Sequence, residues 1–172
     1  MILDAPTAHR FIDAYTDYLL TLLKPKEKRG AHIIEQLVLG RQRHADDPGL
    51  LDGYRAAHPQ ADAEMLDAIA GMQVGQWLHL KDTRTYSVVM DVNATSAYAV
   101  LGLTQRLRDI NANDGEALGS GRVMTAALVP IQGRWVCDGL ITNPVWIGPN
   151  YRRDYTARYQ KLRQDGHFRA HP

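Results

Sequence analysis

The side chains best equipped for chemistry gather in Arg122–Asn143, RVMTAALVPIQGRWVCDGLITN, which holds the chain's single cysteine, Cys137, next to Asp138. A nucleophilic thiol needs its pKa lowered by a nearby histidine or a helix N-terminus. In an extended chain Trp135, Cys137, Gly139 and Ile141 share one face, and Val136, Asp138 and Leu140 share the other. That alternation sets Cys137 among core residues, and free cysteine is among the most buried residue types. No family signature of a catalytic cysteine surrounds it. Asp138 is an acid among strand formers, where acids are depleted. Asp91, inside YSVVMDV, has the same character. On adjacent strands these two carboxylates would form a general acid–base or metal-binding pair; the plainer reading is two acids facing solvent from an open sheet. The catalytic candidates are therefore Asp138, Asp91 and Cys137.

Other chemistries find less support. Of seven histidines only His167 and His171 stand four apart, and they follow Gly166 in the C-terminal tail. Metal ligands usually recur at a helical step or as C-x-x-C. The string His44–Asp47, HADD, holds three metal-ligating side chains but continues into Pro-Gly as an ordinary turn. No metal and no cofactor is expected. LGSGR at Leu118–Arg122 has two glycines but precedes a strand, whereas a phosphate cradle precedes a helix. NYRRDYTARYQKLRQDGHFR is the strongest binding candidate. Its Arg152, Arg153, Arg158, Lys161 and Arg163 interleave with tyrosines, the combination that single-stranded nucleic acid binding uses. Against this, Tyr151, Tyr155, Tyr159 and Leu162 fall on one helical stripe, which suits packing against a sheet, with the arginines as a solvated outer face.

These residues need elements to hold them. Phe11, Tyr15, Tyr18, Leu19, Leu22 and Leu23 recur at spacings of three and four, so a first helix opens at Asp4 or Thr7 and stops before Pro25. A second helix runs from about Ala31, with Ile33, Ile34, Leu37 and Val38 inward, and stops near Gly40–Arg43. Short helices follow at Leu50–His58 and Asp62–Met72, the latter capped by Asp62. From Gln76 the spacing becomes two. WLHLK, YSVVMDV, AYAVLGL, RVMTAALVPI and RWVCDGLI read as five strands joined mostly by short turns, one of them Gln132-Gly133. Such connections imply antiparallel neighbours. Gln105–Ile110 reads as a short helix within the long break Gln105–Gly121, and NANDGEALGSG as a flexible loop. A last helix begins near Pro149 and ends at Gly166.

The expected fold is α+β: N-terminal helices packed on a five-stranded antiparallel, curled meander, a partial barrel, with a C-terminal helix returning to the sheet. Residues 1–166 are expected to form one domain, with a helical segment over 1–75, the sheet over 76–142, a helix over 149–165 and a flexible tail at 167–172. The chain of 172 residues carries a net charge of +1, spread as −3 over residues 1–75, zero over 76–141 and +4 over 142–172. The sequence pI of 7.9 lies below the range of dedicated nucleic-acid binders. Lone Cys137 fits a reducing compartment. No secretory leader or membrane span is read in the chain, and the cytoplasm is the expected location. The residues support a non-enzymatic binding or regulatory module with a protein or small-molecule partner. The alternatives are a nucleic-acid-associated protein using the basic C-terminal helix, and an enzyme with an unfamiliar carboxylate or thiol site. A homodimer through the sheet edges is a further expectation.

Overall fold

In the computed structural model, which describes residues 1–29, 31–110 and 119–172, the chain divides into two units, Asp4–Val74 and Met1–Leu3 with Gly75–Pro172. The loop expected at NANDGEALGSG falls largely outside the described residues.

The first unit is helical: α1 (Ala5–Thr21), α2 (Ile33–Asp46), α3 (Leu50–Ala57) and α4 (Ala63–Ala70). Asp4 caps α1, its Oδ1 accepting from the Thr7 N–H at 3.0 Å, and Phe11, Tyr15, Tyr18 and Leu19 form the buried stripe. Asp62 caps α4 in the same way, accepting from the Met65 N–H at 3.3 Å. The expected apolar face of α2 is corrected at Ile33 and Ile34, while Leu37 is buried as expected. Ile33 and Ile34 are 44% and 47% exposed, whereas Leu37, Gly40, Arg41 and His44 are buried. The helix runs on through Gly40 to Asp46 and packs on α1 at that glycine, where a Cβ would lie 2.6 Å from the Leu19 carbonyl oxygen. Close backbone approach, not the isoleucines, sets which face turns inward. One turn on, the Tyr18 hydroxyl and His44 Nδ1 meet at 2.8 Å. Burial pushes the Tyr18 phenol up to about 12 and lowers His44.

The second unit is a closed barrel. Its strands are β1 (Gln73–Asp82), β2 (Ser87–Asp91), β3 (Ala97–Gly102), β4 (Arg122–Ile131) and β5 (Arg134–Cys137), in the order β1-β2-β3-β5-β4, with β4 pairing β1 to close the ring. The class is α+β and the sheet is mostly antiparallel, as expected. The meander is corrected at one seam: β3 and β5 run parallel, with Val100 opposite Trp135 and Gly102 opposite Cys137. The reason is the long connection after Gly102, which contains a 3₁₀ turn at Leu107–Asp109. It carries β4 to the far side, beside β1. The β4–β5 hairpin, turning at Gln132-Gly133, then brings β5 back against β3. A parallel pair needs an intervening crossover of this length.

Two further strands extend the sheet. β6 (Thr142–Trp146) pairs the first half of β4, and β7 (Phe168–Arg169) pairs β3. The expected flexible tail is corrected at Phe168 and Arg169, because Phe168 packs beside Tyr86 and Tyr159. RWVCDGLI is shorter than expected as a strand, because β5 ends at Cys137.

All five barrel strands send side chains into one cluster, which is the barrel interior: Trp77, Val89, Tyr98, Met124, Leu128 and Trp135 among them. The Trp77 indole N–H donates to the Ala126 carbonyl at 3.1 Å, and Tyr98 stands edge-on between Trp77 and Trp135 at 5.4 Å from each. Outside, α5 (Pro149–Gln164) lays Tyr159 and Leu162 on Leu78, Leu80, Val88, Met90 and Ala97. Tyr151, the first member of the expected stripe, is exposed instead, because it lies in the first turn of α5, before the helix reaches the barrel. No helix among the described residues is long and apolar enough to cross a membrane.

Candidate functional site

Three groups of residues bear on chemistry: a polar cluster in the barrel, the two strand acids with Cys137, and the surface formed by β6 and α5.

The polar cluster lies where β1 and β2 meet. His79 Nε2 lies 3.0 Å from Asp82 Oδ1, and the Ser87 hydroxyl donates to the same oxygen at 2.6 Å. Burial alone would raise the Asp82 carboxyl. The hydrogen bonds from His79 and Ser87, with the charges of His79 and Arg108, outweigh it and hold the group at about 2. Arg122, fully buried, donates to the carbonyls of Gly119 and Leu107, the latter at 2.8 Å. Burial brings its guanidinium down to about 10, opposed by Cys137 and Asp82. Histidine, serine and carboxylate are the ingredients of nucleophilic catalysis, but the connectivity differs. A nucleophilic serine hands its proton to histidine, whereas Ser87 donates to Asp82. His79 and Ser87 are buried. The cluster therefore ties β1 to β2, and Arg122 ties the ends of the β3–β4 connection to the barrel. Sequence reasoning missed it because none of its members forms a motif.

The structure does not bring Asp91 and Asp138 together. Met90 aligns with Ala97 at one end of β3, and Cys137 aligns with Gly102 at the other. At 3.3 Å per residue the two acids stand about 20 Å apart along the strand. Asp91 organises the β2–β3 turn. It accepts from the backbone N–H groups of Asn93 and Thr95 and from the Thr95 hydroxyl, all at 2.9 Å, and from the Ser96 N–H. Asp138 is buried, and its Oδ1 accepts from the N–H groups of Ala127 at 3.1 Å and Leu140 at 3.3 Å. Leu128 pairs with Cys137 and Thr125 with Thr142, so Asp138 fills the gap where the edge of β4 passes from β5 to β6. Its side chain takes the place of a strand carbonyl there. Cys137 is wholly buried in the barrel interior with Trp135. We predict that iodoacetamide leaves Cys137 unmodified in the folded protein and labels it stoichiometrically in denaturant; native labelling at the rate of a free thiol would restore it as a reactive group.

The basic candidates spread along α5. Arg152 reaches the Ser120 hydroxyl at 3.3 Å, and Arg153 reaches the Asn150 side-chain oxygen at 3.2 Å. Arg158 stands over the Tyr155 ring, 5.7 Å from its centroid. Arg158 and Lys161, with Thr95, Asp165 and His167, line an open groove of about 380 Å³. Arg163 lies beside Tyr159. Beside these the structure exposes two residues that the sequence reading passed over, Val145 and Trp146, and one that it places on a packed stripe, Tyr151. Val145, Trp146 and Tyr151 are 62%, 60% and 66% exposed. Trp146 lies over Gly119, where a Cβ would stand 3.1 Å from the indole; Gly119 has φ +63°. The Arg152 side chain lies against Gly121 two residues on. Gly119, Ser120 and Gly121 thus form a floor carrying an indole and a guanidinium side by side. Val145 projects from the opposite face of β6. The signal in the sequence was Val145-Trp146, a β-prone pair, but Pro144 reads as a break.

Among the described residues no three His, Cys, Asp or Glu side chains are placed to hold a metal ion. No family model, curated protein or solved structure matches this chain.

Proposed function

We propose that this protein is a non-enzymatic binding module, and that its recognition surface is β6 with the first turn of α5. One observation carries the reading: Trp146 at the end of β6 and Tyr151 in the first turn of α5 are more than half exposed, and Arg152, next in sequence to Tyr151, lies with Trp146 on the segment 119–121. Exposed aromatic residues beside arginine are the side chains that dominate binding energy at interfaces, and surface Trp is otherwise uncommon. The non-enzymatic assignment rests on how the candidate chemical groups are used. Asp91 and Asp138 satisfy backbone donors, Cys137 is buried, and Ser87 donates to a carboxylate.

The test replaces Tyr151 with the photo-crosslinking residue p-benzoylphenylalanine, and separately Gln160 on α5 and Ile34 on α2 as exposed controls. On irradiation in cells, position 151 is expected to give discrete adducts that the two controls do not. Adducts of the same pattern and yield at all three positions would sink the reading.

A further inference from the structure

We infer that the Trp146–Arg152 surface takes single-stranded nucleic acid, an inference that rests on the reading of this surface as the binding face. In the helical unit at least three of the five arginines hold carboxylate partners: Arg10 with Asp62 at 2.8 Å, Arg43 with Glu27 at 2.6 Å and Arg55 with Asp67 at 2.7 Å. Arg152 and Arg153 form no ion pair among the described residues; their contacts are to a neutral hydroxyl and a neutral amide at more than 3 Å. Charged side chains left with neutral partners at the surface are free to meet an anion at little desolvation cost.

The charge continues as a track. Residues Pro149–Gln164 carry five basic side chains and one acidic one, Asp154. From Arg152 to Lys161 the helix rises about 13 Å at 1.5 Å per residue and ends about half a revolution round, so the path from the indole of Trp146 to the groove lined by Arg158, Lys161, Asp165 and His167 winds around α5. A flexible polyanion winding around α5 meets cations at both ends of that path. A small anion would need only one.

The aromatic rings select among polyanions. Flat rings exposed beside cations are what proteins use to stack unpaired bases, because every base has a π-face and the backbone is held by charge. Bases within a duplex are already stacked and would leave Trp146 uncovered. A second copy of this chain fits poorly: two-fold pairing of β6 edges would bring the same patch, Arg152 and Arg153 included, onto itself, and like charges would oppose it. Five-stranded barrels that bind oligonucleotides do so on the face of strands 2 and 3. Here α5 covers Val88, Met90 and Ala97 on that face. The fold alone carries no function; the aromatic and basic side chains lie instead on β6 and α5.

The experiment is fluorescence anisotropy of 5′-labelled dT20 and rU20 with the full chain from 20 to 200 mM NaCl. We expect binding at 20 mM that weakens at least tenfold by 200 mM. Trp146→Ala should weaken it about tenfold, whereas Trp146→Phe keeps most of it. The double change Arg152→Ala with Arg153→Ala should flatten the slope of log K against log salt by about 1.4, the share of two phosphate contacts. Lys26→Ala with Lys28→Ala should change nothing. All these positions are exposed, and circular dichroism confirms that the variants fold. No anisotropy change at 20 mM overturns the inference, as does oligonucleotide binding that Trp146→Ala leaves intact, which would mark mere polyelectrolyte attraction. If the oligonucleotides fail while position 151 yields nuclease-resistant, protease-sensitive adducts, the binding surface stands and its ligand is a protein. If both fail, both readings fall.

Discussion

Asp138→Ala is expected to cost about 3 kcal/mol of folding stability, measured by urea unfolding at pH 7, because it leaves two buried N–H groups without their acceptor at roughly 1–3 kcal/mol each. These are the N–H groups of Ala127 and Leu140, at the point where β4 passes from β5 to β6. Asp138→Asn keeps a carbonyl oxygen in the same place and should cost only about 1 kcal/mol, the difference between charge-assisted and neutral hydrogen bonds. The pair of variants separates structure from chemistry. If Asp138 were a general acid or base, Asn would be as damaging to function as Ala while leaving stability nearly unchanged. A loss under about 0.5 kcal/mol for Ala, the ordinary scale of surface substitutions, would remove the structural account.

Asp82 gives the second large effect, and it is a pH effect. Its carboxyl is held at about 2 in the fold, against an ordinary value of 3.8. A depressed acid stabilises the fold above its unfolded value, and that contribution fades as pH falls through the folded value. At pH 7 the difference amounts to about 2 kcal/mol. The wild-type chain should therefore exceed Asp82→Asn by about that amount at pH 7, and the gap should begin to close near pH 4 and vanish near pH 2. Urea midpoints of both proteins across that range read the gap directly, since contributions from other carboxylates cancel. A gap that stays constant down to pH 2 would mean that the Asp82 charge contributes nothing through His79 and Ser87.

The two predictions explain why the strand acids were hard to interpret as sequence. Asp138 and Asp91 look alike in one dimension, each an acid among strand formers. One substitutes for a strand at a break in the ladder; the other gathers the donors of a turn. Which donors a carboxylate meets depends on where the neighbouring strand ends, and β5 ends at Cys137, four residues before the periodicity does. The same limit hid Asp82. Ser87 reaches Asp82 because β1 and β2 fold back on each other, and the irregularity between His79 and Lys81 lets His79 and Asp82, three apart on β1, meet.

Local chemistry by itself determined much of the protein. Asp4 and Asp62 cap helices because an acid before an apolar-periodic run meets free N–H groups wherever the chain folds. Alternation from Gln76 onward gave strands, Gln132-Gly133 a hairpin, and the alternating faces put Cys137 with Trp135 in the core. The tertiary structure alone decided the rest. It closed the meander into a barrel through the parallel β3–β5 pair, since the destination of a long connection is set by which edge remains to be covered, not by the residues in it. It turned Gly40 rather than Ile33 and Ile34 inward, because backbones meet there. It also split the tyrosine stripe, burying Tyr159 and leaving Tyr151 in water. Helical spacing says which side chains share a face; only the position of the barrel beneath says how far along the helix that face is covered.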